Sequence, residues 1–205
     1  MAEGLIVKGV QFLDWRPISL NLDLGECGGI SGPSGSGKSL LLRAISDLIE
    51  FEGSVTWRGV SHSSLPAPSW RQRVGVLPAN PVWWYDRVGD HFVHDVSEPL
   101  RDLGFDEGVL EWEIARLSSG EKQRLALIRL LDRRPECLLL DEPTANLDHE
   151  SSLRVEKLIR GYLHGNAESS SVLLISHDEP LLSRICQHQW YMKGRELIKL
   201  DSVEL

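Results

Sequence analysis

Two stretches of this 205-residue chain carry more chemistry than folding requires. Residues 32–39 read GPSGSGKS, which fits the spacing G-x-x-x-x-G-K-[ST]. Glycines let such a backbone curl until successive N–H groups point inward at phosphate oxygens. The apolar-flanked GGIS precedes the loop and a helix follows it, so the positive end of that helix faces the same anion. Lys38 then brings a full charge to the β- and γ-phosphates. Ser39 offers a hydroxyl to Mg²⁺, an ion that keeps most of its waters and takes few protein ligands. The second stretch is CLLLDEP, Cys137–Pro143. A chain does not need two adjacent acids at the end of a buried strand in order to fold. A phosphate-loop site does need a carboxylate there, at the carboxyl end of a neighbouring strand, to hold the magnesium shell. Asp141 ends the apolar run in that place. Glu142 lies one residue beyond, where the chain leaves the sheet, in position to orient or deprotonate the attacking water. The two carboxylates repel, and Mg²⁺ with Lys38 offsets that charge.

Several elements must hold these residues. Residues 5–8 and 18–24 alternate as strands with one buried face, and 53–59 form another strand between glycines. The short apolar runs 74–77, 137–140 and 171–176 read as buried strands. Helical stripes cover 39–49, 119–133 and 149–164, the second ending before Pro135. The last segment reads as a hairpin across Lys193-Gly194. Short apolar strands alternating with helices imply an α/β fold with a mainly parallel sheet covered on both faces, joined to an N-terminal antiparallel β portion. Residues 80–118 hold three tryptophans, several helix-like pieces and no strand. They are expected to form a small helical subdomain, continuing into the helix that ends at 133, within one domain spanning 1–205.

The bulk numbers narrow the partners. Acids outnumber bases 30 to 22, a formal charge of −8, so no nucleic acid is expected, since that binding rests on a basic face. No apolar run approaches the roughly 20 residues needed to cross a bilayer. The start, MAEGLIVKGV, lacks a basic region followed by a long apolar one, so no signal peptide is expected. Cys27, Cys137 and Cys186 are far apart in sequence and read as free thiols of a reducing compartment.

Motif order adds a resemblance. After GPSGSGKS come LSSGEKQR at 117–124, LLLDEPTANLD at 138–148 and SHD at 176–178. In that order they resemble the ATP-binding cassette (ABC) ATPases over nearly the whole chain, with small bacterial exporter cassettes, including iron and metal exporters, the most similar type. The resemblance implies a P-loop fold of ABC type that binds and hydrolyses ATP with Mg²⁺. The phosphates then lie on Gly32, Pro33, Ser34, Gly35, Ser36, Gly37, Lys38, Ser39 and Leu40. Ser39 and Asp141 hold the metal, while Glu142, His177 and Lys38 are catalytic. LSSGE departs from the family's LSGGQ at Ser119 and Glu121; Ser118 and Gly120 match the positions that contact ATP bound on an opposite subunit. Asp148 matches a loop that crosses the dimer interface. Phe12 matches the aromatic that stacks on adenine, and Trp15 competes for that role. The implied partners are a second ABC ATPase subunit, identical or different, and a separate integral membrane permease. The implied location is cytoplasmic, peripheral on the cytoplasmic face of the membrane.

Two departures from the pattern stand out. The family places Gln after the strand at 74–77, to reach Mg²⁺ and link the nucleotide to the membrane partner. Here the position is Ala79, with Asn80 or a water as substitutes. From Ala79 to Leu117 is only 38 positions, which shortens the helical insertion where cassettes grip a permease. Trp83, Trp84 and Tyr85 at its start form either a docking socket or the core of a small subdomain. His91 and His94 in DHFVHD make an incomplete zinc set and are expected to lie on a solvated face.

Overall fold

A computed structural model describes residues 3–165 and 167–200. Strands β1 (Glu3–Gln11), β2 (Ile18–Asp23), β4 (Glu52–Trp57) and β5 (Val60–Ser61) form an antiparallel sheet in the order β2-β1-β4-β5. Alternate residues of β2 are buried, which is why ISLNLD has the period of two that a one-faced sheet demands. The second sheet contains β3 (Cys27–Ser31), β6 (Val74–Leu77), β7 (Cys137–Asp141), β8 (Ser171–Ile175), β9 (His188–Lys193) and β10 (Glu196–Leu200). Its order is β10-β9-β3-β8-β7-β6, with only the edge strand β10 antiparallel. Every residue of β7 and β8 is buried, as expected of central parallel strands covered on both faces. The expected α/β architecture with an antiparallel portion is the one observed.

Register decides where the chemistry sits. Asp141 pairs with Ile175, and Ile175 with Ile30. The chain segments that leave β3, β7 and β8 therefore emerge at one level, at the carboxyl edge where open α/β sheets bind ligands. The helices are α1 (Lys38–Ile45), α2 (Ala67–Arg73), α3 (Ser97–Asp102), α4 (Ser119–Asp132), α5 (His149–Gly165) and α6 (Glu179–Ile185). Helix α1 is shorter than its apolar stripe predicts: it stops at Ile45 because Asp47 turns left-handed at φ 58°, and Leu48 N–H returns to Arg43 O. Helices α2, α3 and α6 have only six or seven residues, too few to show a helical period in sequence.

Two buried clusters form the core. One joins the antiparallel sheet to α1 and one face of the parallel sheet; the other joins the opposite face to α4, α5 and the 80–118 segment through Val88, Val96, Leu100, Leu103 and Val109. Glu136 connects the sheets at the foot of β7, accepting from Trp57 Nε1 at 2.7 Å and from Arg73 Nε and Nη2 at 3.0 and 3.1 Å.

Of the histidine pair, His94 keeps the solvated face expected of it, with its side chain 49% exposed, and His91 departs from it. His91 is 6% exposed and lies in a 3₁₀ turn, not on an α-helical face. Its Nε2 accepts from the backbone N–H of Trp84 (3.2 Å) and Tyr85 (3.1 Å), and its Nδ1 lies 3.0 Å from Arg87 O. Trp83, Trp84 and Tyr85 ring it at centroid distances of 4.8, 5.0 and 5.1 Å. His94 instead meets Asp132 at 2.8 Å. No group of three or more His, Cys, Asp or Glu side chains that could hold a metal ion exists among the described residues. Sequence spacing missed this because i,i+3 adjacency presumes a helix that the backbone does not form.

His91 can accept two amides only while neutral. Burial pushes its pKa below the ordinary histidine value, with the Arg87 carbonyl opposing and Arg129 assisting. A lowered folded-state pKa means that this contribution is complete above the ordinary value and is lost as pH falls through the lowered one. His91→Ala is expected to speed hydrogen exchange at the Trp84 and Tyr85 amides by about tenfold, the equivalent of roughly 1.4 kcal/mol. Wild-type protein should show the same loss in acid; unchanged exchange in both cases would contradict this role.

Candidate active site

The phosphate loop runs from the end of β3 into α1. Gly32 has φ 139° and Gly37 has φ 89°, backbone states that strain any residue with a Cβ. A Cβ at Gly37 would lie 2.3 Å from the indole of Trp15, so Trp15 packs directly on the loop. Gly37 is also the N-cap of α1, with no capping side chain and no acid in the first turn. The first amides of α1, those of Lys38, Ser39 and Leu40, therefore have no side-chain acceptor and are left for an anion. Lys38 is 7% exposed, its Nζ donating to Gly32 O (2.8 Å) and Pro33 O (3.0 Å). Ser36 Oγ is buried without a hydrogen-bond partner. Pro33, Ser34 and Gly35 form the exposed rim of the loop.

Across the sheet edge, Asp141 is 6% exposed at the last position of β7. Glu142 follows at φ 53°, its N–H donating to Ile175 O at 3.0 Å. A left-handed glutamate costs roughly 1 kcal/mol and is what turns the second carboxylate out of the strand. Glu142 Oε1 is buried without a hydrogen bond, 3.4 Å from His177 Nε2. The His177 N–H donates to Oε2 at 3.4 Å. Burial pushes the Glu142 carboxyl above the ordinary glutamate value; Asp141 adds to this, while His177 and Lys38 oppose it. The Lys38 ammonium is pushed down by burial, and Glu142 and Asp141 partly restore it. These mutual influences place the cation and both acids within electrostatic reach. Asp178 caps α6, accepting from Leu181 N–H at 2.9 Å, so His177 stays half exposed and outside the cap. A cleft of about 460 Å³ lies here, lined by Glu142, Thr144, Ser152 and His177 among others. Thr144 and Ser152 carried no sequence signal beyond lying in or near DEPTANLD.

Other expected residues lie elsewhere. Phe12 is 3% exposed and packs on Trp15 at 5.4 Å between centroids. Of the two aromatics, Trp15 touches the phosphate loop. Ser118 and Gly120 do not line the cleft. Ser118 caps α4, exchanging bonds with Glu121 in a capping box, a motif that takes Glu or Gln at that position. A Cβ on Gly120 would lie 3.2 Å from Asn146 O, so the start of α4 packs on the 146–148 loop. Asp148 caps α5 through Ser151 N–H at 2.8 Å. Ala79 supplies no ligand, and Asn80 is exposed with no side-chain hydrogen bond among the described residues. The three aromatics divide: Trp83 packs on the second core cluster, while Trp84 and Tyr85 are each 53% exposed.

The loop, the paired acids and the histidine gather at the carboxyl edge of the parallel sheet. The ABC transporter family profile matches residues 15–145. The chain is 32% identical over 193 residues to the tungstate uptake system ATP-binding protein TupC of Peptoclostridium acidaminophilum, covering 89% of each. It is 35% identical over 175 residues to the probable iron export ATP-binding protein FetA of Escherichia coli K12, covering 79% of this chain and 77% of that one. Its fold matches cbiO1 from Clostridium perfringens with a TM-score of 0.79 at 21% identity, covering 97% of this chain and 88% of that one. A bacterial Atm1-family ABC exporter with ATP bound matches with a TM-score of 0.83 at 21% identity, covering 96% of this chain and 38% of the exporter. No helix among the described residues is long and apolar enough to cross a membrane. The chain belongs to the ABC transporter family, as an ATP-binding subunit with ATPase activity.

Proposed function

We propose that two cassettes, of which this chain is one, close on two ATP molecules, and that hydrolysis reopens them to drive export through a separate membrane permease on whose cytoplasmic face the chain sits. The observation that carries the site assignment is Glu142: a half-buried carboxylate whose Oε1 accepts no hydrogen bond, turned out of the sheet with His177 Nε2 3.4 Å away. In the proposed reaction, water attacks the γ-phosphorus, the bond to ADP breaks, and the water proton passes to Glu142. His177 holds the Glu142 carboxylate and approaches the terminal phosphate. Lys38 exchanges its loop carbonyls for phosphate oxygens, and the uncapped start of α1 receives the rest. Trp15, against Gly37, supports the loop, and either it or Phe12 stacks on adenine. Ser118 and Gly120, at the start of α4, serve the ATP of the partner.

Ser39 and Asp141 present a hydroxyl and a carboxylate, hard oxygen donors that fit Mg²⁺. Bound there, the ion would neutralise charge on the phosphoryl oxygens as the bond breaks. Ala79 cannot join it, so the link from the nucleotide to the permease runs without the usual glutamine.

The permease contact is assigned to the half-exposed Trp84 and Tyr85 and to the groove beside β6. Leu48, Arg71, Arg129 and Arg133 line that groove. Arg129 lies 4.3 Å over Trp83 and 4.5 Å over Trp84, and its Nη1 is buried without a partner. An apolar segment bearing an acid is the chemistry that suits it. The similarity to FetA supports the export direction, and the similarity to the uptake protein TupC supports the opposite one. The test is to trap Glu142→Gln protein with ATP in its native cells and identify what co-purifies. A stoichiometric polytopic membrane protein is expected, and inverted vesicles containing it should accumulate ferrous iron, the probe used, when ATP is added. Recovery with ribosomes or DNA-repair proteins and no membrane protein would favour a non-transport ATPase instead. ATP-driven loss of iron from the vesicles would reverse the direction.

A further inference from the structure

Cys27 and Cys186 are 159 positions apart in the chain, yet their sulfurs are 3.4 Å apart. Cys27 opens β3 and is fully buried, whereas Cys186 caps α6 and is half-buried. The backbones around them are tied together: Gln187 N–H donates to Cys27 O at 2.9 Å, and Cys27 N–H donates to Gln187 Oε1 at 2.7 Å. Gly29 makes the approach possible, since a Cβ there would stand 3.0 Å from Cys186 Sγ. Neither thiol has a part in the nucleotide site.

We propose that this pair is an oxidation site for small hydroperoxides, in which Cys186 is attacked first and Cys27 resolves it. The order follows from access, because only Cys186 has a surface that an oxidant can reach. The Cys27 thiol is also held well above its ordinary pKa by the hydrogen bond with Cys186 and by burial, so it stays protonated while Cys186 reacts. In the first step the Cys186 thiolate attacks one peroxide oxygen. The O–O bond breaks, the leaving oxygen takes a proton, and Cys186 becomes a sulfenic acid. In the second step Cys27 sulfur attacks Cys186 sulfur. The S–O bond breaks, and hydroxide leaves as water with the Cys27 proton. Two thiols together lose two electrons, and hydrogen peroxide is reduced to two waters. Immediate resolution across 3.4 Å keeps Cys186 from the irreversible sulfinic stage. Cys137 is fully buried in the other core cluster and serves as an internal control.

The experiment exposes the full chain to a modest excess of hydrogen peroxide and maps its peptides without reduction. Free thiols should fall from three to one, with a mass loss of about 2 Da for the two hydrogens. A single Cys27–Cys186 linked peptide should appear, and dithiothreitol should restore all three thiols. In Cys27→Ser protein, Cys186 should advance to sulfinic acid, which dithiothreitol does not reverse. In Cys186→Ser protein, the mass should not change. Sulfinic acid on wild-type Cys186 beside a free Cys27 would overturn the proposal. So would a bridge involving Cys137 or a second chain, or no oxidation at all. The wild-type map decides even if a variant fails to fold.

Discussion

Glu142→Gln protein is expected to turn over ATP about 10²–10⁴-fold more slowly than wild type, the usual contribution of a positioned general base. Glutamine keeps the shape and the backbone bond to Ile175 O but cannot accept the proton. The wild-type residue is already prepared for the task. Burial holds its carboxyl above the ordinary glutamate value, closer to the working pH, and its Oε1 accepts no hydrogen bond, with His177 Nε2 3.4 Å away. The same raised value sets the acid limb of kcat/KM. Activity should be full while Glu142 is ionised and should fall, as pH is lowered, at a higher pH than for a solvated glutamate. Steady-state phosphate release across pH measures both effects. Turnover within a few-fold of wild type in the variant would remove Glu142 from the chemistry.

Lys38→Ala has the next largest expected effect. Lys38 is the ammonium buried in the loop, donating to Gly32 O and to Pro33 O, which also accepts from Ser36 N–H. A hydrogen bond to a charged group is worth about 1.5–3 kcal/mol, so ATP affinity should weaken about 10–150-fold. Turnover should be lost with it. Equilibrium binding of ATP by calorimetry checks the first effect, and a thermal melt of both proteins checks that the loop change leaves the core intact. Unchanged affinity in a folded variant would mean that the loop does not hold the phosphates.

How much of this was legible in the sequence depends on locality. The phosphate loop and the Asp141–Glu142 pair were readable because each is one contiguous stretch with a strand before it, and parallel register then lifts both to the same edge. The buried strands were readable because an apolar run of four or five residues has few other uses. What failed to show depended on which distant segments meet. The Cys27–Cys186 contact follows from α6 returning to β3, a pairing that no local spacing announces. His91 was read as solvated because with His94 it makes an incomplete zinc set, yet the amide donors and rings that bury it come from its own loop's irregular path. Trp15 and Phe12 are three residues apart and chemically alike; only the turn between β1 and β2 selects the one that rests on Gly37. The α4 start shows two readings of one motif coexisting. Ser118 and Glu121 complete a capping box, and the same end of the helix keeps Gly120 small against the 146–148 loop.

Whether ATP joins two such subunits is read by light scattering on Glu142→Gln protein. A monomer is expected without nucleotide, because the phosphates that bridge the subunits are absent, and a dimer once ATP and Mg²⁺ are added, since the variant binds ATP without consuming it. The same mass with and without ATP, in protein shown to bind the nucleotide, would contradict this.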